Sequence, residues 1–349
     1  MSPPFVLHDQ EALLTRLCRP DFEPHERPLF LVGAPLTASW AAGMPGVPGV
    51  GEMVERVRRA LLGAGRDLAD ADYQQAFQEA EGNLGPDRVE RLVREAVLEA
   101  CISQDRSLLE RAGRGDAEAC KQLEAEQHAW SLSPGVEALG RLLHEFPDVF
   151  GREVLTSNFD PLISVSIQKA GGSCWRTRLH GDDNLEADEA CGCRVIHGHG
   201  YWWGSDMLHH RVQLQQERPD LRNSLRRRFQ DRTLVVVAYG GWDDIFTRAL
   251  FDLVRDGGAS YRVIWTFYSS HCEEIAAENA ALLEGLRATH GVQRAGDRPL
   301  VQQLLGAGHQ GDPAQDVGCL RAGVRARHGG SSLPQRTDQR GAGDHPLFP

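Results

Sequence analysis

Four short stretches of this sequence place side chains capable of chemistry directly after apolar runs. In Leu155-Thr156-Ser157-Asn158-Phe159-Asp160 an amide and a carboxyl stand two residues apart, just before the helix-like run Pro161 to Ile167, so both can face one small molecule. Val195-Ile196-His197-Gly198-His199-Gly200 ends in imidazoles and glycines. An imidazole with its ordinary pKa of about 6.5 accepts a proton at neutral pH, as a general base must. Leu29-Phe30-Leu31-Val32 empties into Gly33-Ala34-Pro35-Leu36-Thr37, and the later Gly43-Met44-Pro45-Gly46 leads to a helix-like run from Glu52 to Leu62. Small residues before a helix let backbone N–H groups approach a phosphate, and the helix N-terminus adds a favourable field. The run Leu234 to Tyr239 stops at Gly240-Gly241 and is followed by Trp242-Asp243-Asp244.

Each stretch also has a plain structural reading. Asn158 suits a helix cap, and Asp243 or Asp244 caps the helix after it as readily as it meets a sugar hydroxyl. His180, His197, His199, His209 and His210, taken singly, fit hydrogen-bonded polar positions. The loop at Gly33 lacks the three spaced glycines of the dinucleotide fingerprint and is weak evidence by itself.

The elements around these stretches decide how they are weighed. Leu29–Val32, Glu153–Thr156, Cys174–Arg178, the stretch from Cys193 into Val195-Ile196-His197-Gly198-His199-Gly200, Arg232–Tyr239 and Arg262–Phe267 read as strands, with Thr233–Val237 the strongest run of β-favouring residues. Helical spacing covers 9–19, much of 67–127, 136–143, 161–171, 221–229, 242–255 and 270–286. The stripes Tyr73, Ala76, Phe77, Ala80 and Val89, Leu92, Val93, Ala96, Val97 read as core packing with no ligand role, and Gly113-Arg114-Gly115-Asp116 as a break between helices. Strands alternating with helices predict an α/β fold with a Rossmann-like parallel sheet, whose carboxyl edge carries the ligand. The expected organisation is an N-terminal helix and connector (1–28), one nucleotide-binding domain (29–287) with a helical insertion at about 67–145, and a tail (288–349). In that tail apolar periodicity fades and no strand-like run stands out; it reads as disordered, or as the product of a shifted reading frame.

Composition narrows the class. The chain has 349 residues, 41% hydrophobic, with a formal net charge of −11. That balance argues against a sequence-independent grip on nucleic acid, which rests on clustered Lys and Arg. Arg226-Arg227-Arg228 reads as a solvated helix face. No stretch approaches a membrane span, and the N-terminal residues lack a secretory pattern, so a cytoplasmic location is expected. Eight cysteines in that context do not suggest disulfides. Cys174, Cys191 and Cys193 lack the second spaced pair of a zinc site, and no metal is expected.

Taken together, the four motifs resemble those of the sirtuin (silent information regulator 2) family, specifically the sirtuin-like domains of bacterial anti-phage defence proteins, over about residues 28–285. Gly33-Ala34-Pro35 through Gly43-Met44-Pro45 resembles the family's Gly-Ala-Gly and Gly-Leu/Ile-Pro loop. Thr156-Ser157-Asn158-Phe159-Asp160 resembles its Thr-Gln/Thr-Asn-Ile/Tyr-Asp turn. Val195 to Gly200 resembles its His-Gly segment, and Val237 to Asp244 its late Gly-Tyr-Ser…Asp segment. The resemblance implies NAD as substrate, hydrolysed to nicotinamide and ADP-ribose by an NAD glycohydrolase (NADase) acting in defence. It implies Asn158 and His199 as catalytic residues, and Gly33, Ala34, Thr37, Asp160, Gly240 and Asp243 as NAD-binding ones. Aligning the final His-Gly selects His199. His180-Gly181 is the same dipeptide but opens a charged loop, and His197 points to the opposite face if its strand extends that far. Implied partners are a further copy of the chain or a sensor component of a defence system. Two departures stand out: Pro35 replaces the loop's second glycine and removes an N–H, and the four-cysteine zinc module of the deacylases is absent. An NAD-dependent protein deacylase and a non-catalytic NAD or ADP-ribose sensor are the rival readings.

Overall fold

The computed structural model describes residues 6–8, 17, 27–68, 70–178, 181–185, 191–256, 262–267, 272–287 and 303–306. Eight strands are found there: β1 (Val6–His8), β2 (Leu29–Val32), β3 (Glu153–Thr156), β4 (Cys174–Arg178), β5 (Cys193–His197), β6 (Thr233–Val237), β7 (Arg262–Phe267) and β8 (Gln303–Gly306). They form one sheet in the order β1-β8-β7-β6-β2-β3-β5-β4, and every pairing is parallel. The fold is α/β and Rossmann-like.

Parallel strands are covered on both faces, which is why the central ones are apolar at every position. The pleat then sorts neighbours to opposite sides. Phe30, Val32, Val154, Val195, Val235 and Val237 pack in one core cluster with the helices Pro134–Glu145 and Leu162–Lys169. Leu29, Leu31, Leu155, Ile196, Leu234 and Val236 pack in a second, against the helices Pro219–Phe229, Ile245–Asp256 and Ala280–Arg287. A third, smaller core joins the helices Val50–Gly63, Tyr73–Leu84 and Pro86–Val97 through Met53, Val57, Phe77, Leu92 and Val93. Asp72 and Gln75 form a reciprocal cap at the start of the second of these helices.

Several expectations are refined. The segment 270–286 is two helices, Cys272–Glu278 and Ala280–Arg287, parted at Asn279. Of the helix expected at 9–19 only Leu17 is described, and it is fully buried. Arg226–Arg228 is not simply a solvated face: Arg228 and Arg232 both pair with Glu153 at the start of β3, at 2.5 Å and 3.2 Å, tying that helix to the amino edge of the sheet. The tail expected to lack strands contributes β8, which pairs with the outer edge of β7. Four residues with no alternation of their own take strand geometry because a sheet edge offers a row of N–H and C=O groups. The remainder of 288–349 lies outside the described residues.

The chain steps from β2 to β3 on one side of β2 and later returns to place β6 on its other side. The carboxyl ends of β2, β3, β5 and β6 therefore flank the point where strand order reverses, the usual place for a crevice in such sheets.

Candidate functional site

A cavity of about 550 Å³ opens at that point. Its floor is made by the residues just past the four strand ends, and Met53, Tyr73, Val93, Ala96 and Val97 of the three-helix unit contribute its other side. The reading of the Val93–Val97 stripe as packing alone is thus corrected: these residues close a helical core and line the cavity together. Glu278 and Asn279 also line the rim.

The end of β2 approaches β6 closely. Gly33 N–H donates to the Val237 carbonyl at 3.1 Å, and a Cβ at Gly33 would lie 2.1 Å from the Ala238 carbonyl oxygen, so only glycine fits. The chain then makes a 3-10 turn, Ala34–Leu36, with Pro35 near its start. The turn's hydrogen bonds run from Leu36 and Thr37 N–H back to Gly33 and Ala34, so Pro35 costs the turn no bond. Ser133 Oγ donates to the Leu36 carbonyl at 2.7 Å and anchors the turn to the helical insertion.

At the end of β3, Thr156 Oγ1 donates to the Val32 carbonyl and accepts from Asn158 N–H, both at 3.0 Å. Asn158 Nδ2 donates to the Gly33 carbonyl at 3.3 Å and to Thr37 Oγ1 at 3.0 Å. Thr37 Oγ1 donates to Asp160 Oδ2 at 2.8 Å, while Asp160 Oδ1 accepts from Leu162 N–H at 3.0 Å at the start of the following helix. Thr37, Asn158 and Asp160 are all buried. Burial is the main cause that pushes the Asp160 carboxyl up to about 6, with the hydrogen bond from Thr37 opposing it. Both donors of the Asn158 amide face acceptors, which fixes its orientation. Its Oδ1 is left buried and without a hydrogen bond. An unmet buried acceptor costs about 1–3 kcal/mol, and in a cavity wall it marks where a ligand hydroxyl or a water donates.

The two histidines of the Val195–Gly200 stretch divide their work. His197, the last residue of β5, is 1% exposed and does not line the cavity. Its Nδ1 donates to the Asn158 carbonyl at 2.7 Å, and burial pushes its pKa down to about 4, so the ring is neutral at pH 7 and holds the Asn158 backbone. His199 lies beyond the strand end and lines the cavity. Its Nε2 meets Asp244 Oδ2 at 2.6 Å. Gly198 lets the turn pass Phe246, whose ring would sit 2.1 Å from a Cβ there. His209 is enclosed by Phe77 and Phe159 rings, bonds Tyr73 Oη through Nδ1, and is pushed down to about 3 by burial. His180 lies outside the described residues.

The expected site residues converge with one exception. Gly33, Ala34, Thr37, Asn158, Asp160, His199 and Gly240 line the same cavity. Asp243 does not: its half-exposed carboxylate is held by Arg248 at 2.8 Å and by Gln215 at 2.6 Å on the outer surface. The residue that points inward is Asp244, fully buried. Two adjacent aspartates before a helix give no sequence signal for which one turns in, and the 45 residues between His199 and Asp244 hide their contact. Among the described residues no lysine or arginine lines the cavity, so an anionic ligand there would rest on backbone N–H groups and hydroxyls.

Residues 152–289 match the SIR2-like domain family. No curated protein matches the chain. Among solved structures it is similar to a Sir2 homologue in complex with NAD, at TM-score 0.43 and 15% identity, covering 93% of this chain and 97% of that one. It is also similar to two complexes of mutant Sir2 homologues with ADP-ribose. These give TM-scores of 0.45 and 0.46, each at 15% identity and covering 93% of this chain and 99% of the other.

Proposed function

On the premise that the chain carries a SIR2-like domain over residues 152–289, we propose that it hydrolyses NAD to nicotinamide and ADP-ribose. The observation that carries this reading is the buried, unmet Asn158 Oδ1 in a cavity that also receives His199. A glycosidic bond to a cationic pyridinium breaks through an oxocarbenium-like state, so the protein's task is to hold the ribose, restrict water and place one nucleophile. In this scheme Asn158 Oδ1 accepts a hydrogen bond from the attacking water or a ribose hydroxyl, and His199 takes the water's proton. The water oxygen bonds to the anomeric carbon, and the electron pair of the broken C–N bond neutralises the departing nicotinamide. Asp160 stands at the nicotinamide-ribose end, Gly33, Ala34 and Thr37 follow the diphosphate, and Gly240 contributes to the NAD-binding wall.

By the sequence resemblance to defence sirtuins, this turnover would deplete NAD in an infected cell and would need a trigger, supplied by self-association or a sensor partner. The test is nicotinamide release by purified protein incubated with NAD over a wide protein concentration range, with Asn158→Ala and His199→Ala alongside. Both variants are expected to lose release while keeping the wild-type fold by circular dichroism. Undiminished turnover in either refutes the assignment. NAD use only in the presence of an acylated peptide would instead indicate a deacylase, and calorimetric binding without turnover a sensor.

A further inference from the structure

Asp244 is wholly buried and its four hydrogen-bond partners are fixed in kind. Oδ1 accepts from the backbone N–H groups of Phe246 and Thr247 at 3.0 and 3.1 Å, which caps the helix Ile245–Asp256. Oδ2 accepts from Tyr239 Oη at 2.6 Å and meets His199 Nε2 at 2.6 Å. A carboxylate oxygen only accepts, so the proton of a neutral His199 ring sits on Nε2 and the lone pair on Nδ1. The ring is held from its sides as well, stacked near Phe246 and Trp242 at centroid distances of 5.9 and 6.4 Å. Because Nε2 is engaged and the residue lines the cavity, Nδ1 is the nitrogen left to the ligand.

We infer that Asp244 is a positioning residue that locks His199 in the Nε2–H tautomer and thereby presents Nδ1 as the base. The tautomer follows from the geometry alone; its catalytic consequence rests on the hydrolase reading. When the water's proton arrives on Nδ1, the imidazolium that forms lies against a carboxylate already in place, so no group has to reorganise. The general relation is that of a buried carboxylate orienting a catalytic imidazole, recognised by roles and not by chain order.

The helix cap supplies a sharp test through Asp244→Asn. The two backbone N–H groups require an acceptor, so the oxygen of the new amide must face Phe246 and Thr247, and its NH₂ must face His199 and Tyr239. The cap survives, yet Nε2 now has to accept, which moves the ring proton to Nδ1 and aims an N–H into the cavity. The expected result is a shift of the His199 signal from the Nε2–H to the Nδ1–H pattern in ¹H–¹⁵N spectra of histidine-labelled protein. The signal is assigned by its disappearance in His199→Gln. Nicotinamide release should fall by about 100-fold or more, the scale of a lost general base, with KM for NAD changing far less. An Nδ1–H tautomer in the wild type, or an unchanged tautomer in Asp244→Asn, overturns the positioning role whether or not the protein turns over NAD. A switched tautomer with wild-type turnover overturns its catalytic part. Failure of the wild type to release nicotinamide at any concentration would instead remove the hydrolase reading, while the tautomer spectra would still decide the positioning role of Asp244.

Discussion

Asp160 offers a quantitative check on the cavity's electrostatics. Its carboxyl is 2% exposed, and burial raises its pKa from 3.8 to about 6. A group whose native pKa lies above its unfolded value binds its proton more tightly in the native state. Its contribution to stability is therefore fully present below about pH 4 and is lost as pH rises through about 6. Roughly two units at about 1.4 kcal/mol each give about 3 kcal/mol of native-state destabilisation at pH 7 relative to pH 4. Asp160→Asn removes this dependence with little geometric cost. The amide oxygen keeps the bond from Leu162 N–H, and its NH₂ faces Thr37 Oγ1, whose own proton can turn fully to the Ala34 carbonyl at 3.2 Å. Urea unfolding of both proteins at intervals from pH 4 to 7 should show the variant gaining about 3 kcal/mol on the wild type across that range. Parallel curves would refute the argument that the carboxyl is penalised by burial. A site that retains so costly a carboxylate fits one that a cationic ligand relieves.

Packing sets two further outcomes. Glu124 is buried, its Oε1 accepts from Tyr201 Oη at 2.5 Å, Trp202 Nε1 at 2.8 Å and Trp203 Nε1 at 2.6 Å, and its Oε2 pairs with Arg176. Glu124→Ala strands those donors and a guanidinium, and should cost about 3–5 kcal/mol in urea unfolding, whereas Glu124→Gln, which keeps an acceptor oxygen, should cost clearly less. A loss below about 1 kcal/mol in the alanine variant would show that the network is not a fastening point. Gly33→Ala forces a Cβ against the Ala238 carbonyl and should cost about 3 kcal/mol or more. Gly51→Ala, open on all sides in its helix, should raise stability by up to about 1 kcal/mol. Equal unfolding midpoints for the two variants would contradict the close strand approach.

The central strands were legible because a parallel sheet covered on both faces demands uninterrupted apolar runs, and runs such as Leu29–Val32 and Thr233–Val237 have no other use in so polar a chain. The floor of the candidate site was legible for the same reason: ligands gather where such strands end, so the stretches holding Gly33, Asn158 and His197-Gly198-His199 could be picked from the residues just past each run, while the choice of His199 among the histidines came from the resemblance to sirtuins. Their meeting in one cavity was not written in any of the runs, since strand order depends on pairings between residues more than a hundred positions apart. The helical stripe Val93–Val97 carries the same periodicity whether it packs a core or lines a cavity, and only docking over the sheet showed that it does both. The choice of Asp244 over Asp243 turned on which carboxylate the first turn of a helix draws inward, and the strand at Gln303–Gly306 on its place between β1 and β7. Sequence thus determined what each segment is by its local pattern of burial. Tertiary structure decided which segments meet, because a contact belongs to two distant stretches and to the geometry between them.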